Sequence, residues 1–139
     1  MNAIDTNILA YLFDPDAPEK QSRAQRMLDT LVVQPRETVW LWQVAVEFLA
    51  YLRKAASKGV LAPERVPIEF RELLQLFSLK LPTSQILDRS FVLHKRYSLS
   101  HWDSLLIAAC QEAGVICLYS EDMQHGADYD GVKIVNPFA

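Results

Sequence analysis

The chain has 139 residues, half of them hydrophobic and 22% charged, with a formal net charge of −3. That is an ordinary globular composition on the scale of one domain, spanning residues 1–139. It excludes a chain that binds nucleic acid by general phosphate attraction, which needs a positive surface. No apolar run reaches the ~18 residues that a membrane span requires. The opening Met1-Asn2-Ala3-Ile4-Asp5 is too short and too soon acidic for a signal peptide. Cys110 and Cys117 have neither metal-ligand nor redox spacing. They read as two buried thiols, and the protein as cytoplasmic, with no membrane contact.

In chain order, residues 2–5 predict a short strand that turns at once into a helix over 6–12. Residues 14–18 are a loop, and Pro18 suits the first turn of a helix over 19–33. Pro35 ends that helix. Residues 37–41 predict a second strand, and 43–58 a helix closed by Gly59. A helix over 64–79 is followed by an extended connection at 80–82, then by a helix over 83–97. A further helix over 100–113 stops at Gly114. Residues 115–119 form a β-branched strand, 120–129 a loop, and 132–135 a last strand, the two strands forming a hairpin-like pair. Strands separated by helices predict an α/β fold, a mostly parallel sheet with helices on both faces. No internal repeat or linker marks a second domain.

Four carboxylates stand out. In the run from Trp40 to Leu52 only Gln43 and Glu47 are strongly polar, and at a spacing of four they share one narrow helix face. A solvent-facing stripe would give the same pattern. Asp103 opens a helix apolar on nearly every side. Ser100-x-x-Asp103 also matches a capping box, a role compatible with a site because the helix dipole favours an ionised acid there. Asp5 ends the first strand, and Asp122 lies just past the strand at 115–119. Ligands of open parallel sheets bind at those strand ends, although a helix cap or plain solvation would also account for either acid. Two carboxylates ~4 Å apart repel by about 4 kcal/mol at an effective dielectric of 20, so a cluster of them calls for protons or cations. Oxygen-only ligands suit Mg²⁺ or Mn²⁺. Spacing alone does not bring the four together.

Four segments carry a resemblance. They are Ile4-Asp5-Thr6-Asn7-Ile8-Leu9, Gln43-x-x-x-Glu47-Phe48, His101-Trp102-Asp103-Ser104-Leu105-Leu106-Ile107-Ala108-Ala109 and Leu118-Tyr119-Ser120-Glu121-Asp122-Met123-Gln124-His125-Gly126. In this order and at these separations the chain resembles the PIN-domain family, and within it the VapC toxins of toxin–antitoxin pairs, over essentially its whole length. The resemblance implies a three-layer PIN-like fold. It also implies that Asp5, Glu47, Asp103 and Asp122 line one pocket, bind Mg²⁺ or Mn²⁺ and form the catalytic set, with Asp5 and Asp103 as principal ligands. Thr6, Asn7, Ser104 and Ser120 match the small polar positions that orient ligands or water, while the role of Glu121 stays open. The implied activity is endoribonuclease cleavage leaving a 5′-phosphate and a 3′-hydroxyl. The implied partners are an RNA substrate, a cognate antitoxin and a second copy in a homodimer.

Lys20, Arg23 and Arg26, or Arg53, Lys54 and Lys58, are candidate phosphate contacts; charge opposing a helix dipole also explains the second set. Trp40, Trp42 and Trp102 read as core, because their neighbours are apolar. Phe70, Leu73, Leu74, Leu76 and Phe77 form an apolar face, either core or a groove for an antitoxin segment or a homodimer contact. An aspartyl phosphatase would also start from an Asp after the first strand, but it wants an acid two residues on, and position 7 is Asn. A partner-binding scaffold without activity, a DNase, and a PIN nuclease outside any antitoxin pair remain alternatives.

Overall fold

A computed structural model describes all residues, 1–139. The elements run β1 (Asn2–Ile4), α1 (Thr6–Tyr11), α2 (Pro18–Leu31), a 3₁₀ turn (Pro35–Glu37), β2 (Val39–Leu41), α3 (Trp42–Ser57), α4 (Arg65–Leu76) and β3 (Ser78–Lys80). They continue through α5 (Gln85–Tyr97), α6 (His101–Glu112), β4 (Cys117–Tyr119), β5 (Asp128–Tyr129) and β6 (Val132–Val135).

One sheet has the order β1-β4-β6-β5, and β2 pairs with β3 beside it. A parallel bridge between Asn2 and Thr38 joins the two, giving β3-β2-β1-β4-β6-β5 across the molecule. Every pairing is parallel except β5 with β6. From β1 the chain first builds outward through β2 and β3, then returns to build the other half from β4. The strand order therefore reverses between β1 and β4, and ligands of open parallel sheets bind at the carboxyl ends of such strands.

Helices cover both faces of this sheet, as the alternation of elements predicts. α1 packs against α2 and α3, α3 against α4, and α5 against α6. The core is one cluster of 27 buried residues drawn from nearly every element. α6 buries Leu105, Leu106, Ile107, Ala108 and Cys110, as an all-round apolar helix must. α3 buries Val44, Ala45, Phe48, Leu52 and Ala55, which leaves Val46 and Glu47 facing out.

Three expectations need correction. The helix predicted over 64–79 stops at Leu76, and the chain straightens into β3 beside β2. Pairing with the second strand there outweighs helical periodicity. The two last strands are not a hairpin: β4 and β6 run parallel, and the hairpin is β5–β6. Its turn, Asp130-Gly131, has both residues at positive φ, 51° and 97°, the backbone a tight two-residue hairpin needs. Finally, the tryptophans divide. Trp40 is 3% exposed and belongs to the core, but Trp42 is 46% and Trp102 63% exposed. Each of these two opens a helix on its solvent side.

Candidate active site

The site is built where β1 and β4 end. The Asp5 amide donates to the Tyr119 carbonyl (2.8 Å), so the first acid is pinned to the end of β4. Asp5 is only 7% exposed. Its Oδ1 accepts from the Thr6 amide (2.7 Å) and its Oδ2 from the Ser120 hydroxyl (2.8 Å). The same Ser120 oxygen accepts from the Asp122 amide (3.3 Å), which fixes the loop that carries the fourth acid.

Short polar side chains link the other acids to this pair. Thr6 donates its hydroxyl to Glu47 Oε2 (2.7 Å), although the residues are 41 apart in sequence. Gln43 Nε2 reaches Glu47 Oε1 (3.3 Å) and the Trp102 carbonyl (3.4 Å), tying α3 to the first turn of α6 beside Asp103. Asn7 Nδ2 donates to both carboxylate oxygens of Asp122 (2.9 and 2.7 Å). Asp103 itself is placed by the predicted cap, its amide donating to Ser100 Oγ (3.2 Å). One hydrogen-bonded chain thus runs from the start of α6 through Gln43, Glu47, Thr6, Asp5 and Ser120 to Asp122 and Asn7.

The electrostatics agree with this convergence. Burial pushes the Asp5 carboxyl up to about 6, against the two hydrogen bonds from Ser120 and Thr6 and with the added charge of Asp122 and Glu47. Asp122 is also raised, first by burial and then by the Glu121 charge, with smaller contributions from Asp103 and Glu47 and the Asn7 hydrogen bond opposing. Asp5 therefore feels the charges of Asp122 and Glu47, and Asp122 those of Glu121, Asp103 and Glu47. None of the four is ion-paired with a Lys or Arg. The site gathers negative charge without compensating it from the chain.

Of the residues predicted from sequence, Asp5, Thr6, Asn7, Glu47, Ser120 and Asp122 meet through direct hydrogen bonds, and Asp103 adjoins them. Ser104 does not join them, because its buried hydroxyl donates to the His101 carbonyl (2.7 Å) within its own helix. Glu121, although next to Asp122, turns away: it accepts from Tyr11 Oη (2.6 Å) and pairs with Lys20, which lies over the Tyr11 ring. That network uses the Lys20 charge within the protein, and Arg23 bonds the Phe138 carbonyl (3.3 Å). Gln43 is the one contributor that sequence reasoning paired with Glu47 without giving it a role. Its signal was the spacing of four.

The donor set is all oxygen, which suits a hard divalent cation. As they stand, no three of the His, Cys, Asp and Glu side chains are gathered tightly enough to close on one ion. The carboxylates face Thr6, Ser120, Asn7 and Gln43 instead. Holding an ion therefore requires the exposed Glu47 and Asp122 side chains to turn from those partners. Burial raises the Asp5 carboxyl, and a cation beside it would favour its ionised form.

Residues 3–127 match the PIN domain family, and the chain belongs to it. No curated protein matches. Among solved structures its fold is that of VapC-type PIN domains. A toxin–antitoxin complex from Klebsiella pneumoniae superposes with a TM-score of 0.67 at 22% identity, covering 99% of this chain and 98% of that one. VapC20 of Mycobacterium tuberculosis, a toxin that cleaves the sarcin–ricin loop, gives 0.65 at 16% identity over 88% and 90%. VapBC2 of Rickettsia felis, bound to a DNA fragment from its promoter, gives 0.68 at 12% identity over 96% of each chain. No helix of this chain is long and apolar enough to cross a membrane.

Proposed function

We propose that the protein is a metal-dependent endoribonuclease, the toxin of a type II toxin–antitoxin pair, with the whole chain acting as one PIN unit in the cytoplasm. The observation that carries this reading is the uncompensated acid cluster at the strand-order reversal of a PIN fold. Asp5 and Asp103 hold Mg²⁺ or Mn²⁺, while Glu47 and Asp122 complete the oxygen set or position the attacking water. A bound divalent ion supplies hydroxide near neutral pH and positive charge for the phosphoryl and leaving oxygens. Thr6, Asn7 and Ser120 aim the carboxylates, as outer partners of metal ligands do. The Asp103 carboxylate accepts no hydrogen bond from the chain, so its oxygens are free to take a ligand without breaking one. By family likeness the products carry a 5′-phosphate and a 3′-hydroxyl.

The toxin part of the reading is supported by the named neighbours, which are toxins and toxin–antitoxin complexes. A small antitoxin protein is the partner this implies, together with a homodimer of the toxin. The test is cleavage of total bacterial RNA by the purified protein with Mg²⁺ or Mn²⁺, repeated with chelator and with Asp103→Asn, and with the new ends sequenced. Metal-dependent cuts bearing 5′-phosphates and lost in the variant are the expected result. Intact RNA in the presence of metal, with a melting temperature that metal leaves unchanged, would instead leave a scaffold that binds a partner.

A further inference from the structure

Glu121 and Asp122 are adjacent acids in the loop after β4, and α1 holds each of them with a different side chain. Asn7 donates to both carboxylate oxygens of Asp122 (2.9 and 2.7 Å), and Tyr11 donates its hydroxyl to Glu121 (2.6 Å). At a spacing of four, Asn7 and Tyr11 share one face of the helix. Both donors are neutral, so α1 by itself does not tell the two acids apart. Lys20 does. Its ammonium pairs with Glu121, donates to Tyr11 Oη (3.1 Å), and lies 4.8 Å from the Tyr11 ring centre and 5.4 Å from that of Phe138. Those two rings meet edge-to-face at 5.2 Å, and Arg23 fixes the Phe138 carbonyl (3.3 Å). Lys20 stands in the first turn of α2, where the helix dipole disfavours a cation, so helix stability alone does not account for it.

We propose that Lys20 is a positioning residue for the acid site: it holds Glu121 out of the carboxylate set, so that Asp122 alone serves from this loop. The inference rests on the metal site of the nuclease reading and names what limits the number of acids there. The argument is one of reach and charge. Glu121 adjoins Asp122 in the chain, and its side chain is one methylene longer, so without its partners it can turn towards the same space. That space already gathers Asp5, Glu47, Asp103 and Asp122, none of them paired with a Lys or Arg. In the absence of metal their repulsion is enough to keep a fifth carboxylate away. A divalent cation inverts the local charge and attracts any carboxylate within reach. A fifth ligand of that kind binds the ion more tightly but takes a position that water or a phosphoryl oxygen needs. The neutral Tyr11 hydroxyl is a weak rival to such an ion, whereas the Lys20 ammonium offers Glu121 a full opposing charge. With its side chain only 21% exposed, Glu121 is held in this network rather than loosely solvated.

The test is Mn²⁺ binding by the full chain without RNA, read by electron paramagnetic resonance of the free ion. The wild type is compared with Lys20→Met, Lys20→Arg, Glu121→Gln and the double variant Lys20→Met/Glu121→Gln, and melting temperatures confirm that each folds. Lys20→Met is expected to bind Mn²⁺ about 10-fold more tightly, because affinity follows the charge of the ligand set. At saturating Mn²⁺ it should cut RNA about 10-fold more slowly, the scale on which outer partners act at a metal site. Lys20→Arg, Glu121→Gln and the double variant should all bind and cut like the wild type. Unchanged Mn²⁺ affinity in Lys20→Met reduces the pair to a surface contact and overturns the proposal. Weaker binding also overturns it, since Lys20 would then support Asp122 rather than exclude Glu121. So does tighter binding that persists in the double variant, because loss of the Lys20 charge would then suffice without Glu121. In each of these three cases, metal-dependent cleavage by the wild type leaves the nuclease reading standing. If the affinities follow the expected pattern but no RNA is cut, the nuclease reading fails and the role of Lys20 stands. A wild type that binds no Mn²⁺ overturns both.

Discussion

Asp5 and Asp130 are both aspartates near strand ends, and the protein treats them in opposite ways. Asp130, in the β5–β6 turn, accepts from Tyr97 Oη (2.6 Å) and Arg89 (3.0 Å) and pairs with Arg96. Tyr97 and the arginines hold its carboxyl below the usual range. Asp5 receives only neutral donors, and burial, with the added charge of Asp122 and Glu47, pushes its carboxyl up to about 6. One carboxylate is given its cations by the chain; the other is placed where the chain offers none. Glu121 sorts with Asp130, since Lys20 and Tyr11 hold it low against the effect of its burial. Two neighbours in sequence, Glu121 and Asp122, therefore belong to different regimes. Compensation by the protein's own cations separates a carboxylate that holds the fold from one awaiting a ligand.

The largest effect expected from this contrast is on cleavage. Asp5→Asn, Asp103→Asn and Asp122→Asn each remove a charge from the uncompensated set. Each should reduce metal-dependent RNA cleavage by more than about 100-fold, beyond what outer partners of a metal site contribute. Rates with saturating Mn²⁺ check this. Retention of full activity by any two of the three would break the contrast.

Stability should move the other way, and with pH. The folded Asp5 binds its proton more tightly than the unfolded chain does, with values of about 6 and 3.8. Between those values the folded state holds the extra proton, so stability falls as pH rises through this window, and the loss is complete above about pH 6. The difference corresponds to about 3 kcal/mol at most. In chelator at pH 8, Asp5→Asn should therefore be more stable than the wild type, with the gap closing towards pH 4. Denaturant melts at the two pH values check the sign. Added Mn²⁺ should narrow the same gap by stabilising the wild type.

Much of this was legible in the sequence, for identifiable reasons. Glu47 and Asp103 stand out as isolated charges in apolar runs, Asp5 and Asp122 by their places at strand ends, and Ser100 is legible as the cap it proves to be. The parallel sheet followed from strands alternating with helices. What escaped was long-range. Nothing local to residues 77–80 predicts β3, because its pairing partner lies almost forty residues upstream. The split of Glu121 from Asp122 depends on Lys20, about a hundred residues away. Apolar neighbours do not bury Trp42 and Trp102, because a helix apolar on most sides still has a first turn in solvent. The β5–β6 turn was readable: Asp130-Gly131 between Tyr129 and Val132 is a strong local hairpin signal.

A smaller effect is expected from Asn7. Asn7→Ala leaves Asp122 without its two hydrogen bonds but keeps every acid. Activity should fall by about 10- to 100-fold, mostly as a higher metal requirement, since outer partners tune ligand orientation and affinity. Titration of cleavage with Mn²⁺ distinguishes this from the acid variants, which excess metal should not restore. Equal rescue of both would place Asn7 and Asp122 in the same role.

Asp130→Ala sets the lower end of the scale and is the cleanest control on the comparison. The variant removes the partner of Arg89, Arg96 and Tyr97 together, so α5 loses side-chain bonds to the β5–β6 turn. These groups are partly solvated, and the freed arginines can return to water, which keeps the penalty small. The φ of 51° at this position adds to it, because alanine enters that region less readily than aspartate. A drop of roughly 3 °C in melting temperature is expected. Cleavage and its metal requirement should remain those of the wild type, because no acid of the site contacts this corner. If Asp130→Ala instead abolished cleavage while remaining folded, a compensated carboxylate would be doing the work assigned to uncompensated ones. Charge pairing would then cease to distinguish the two regions.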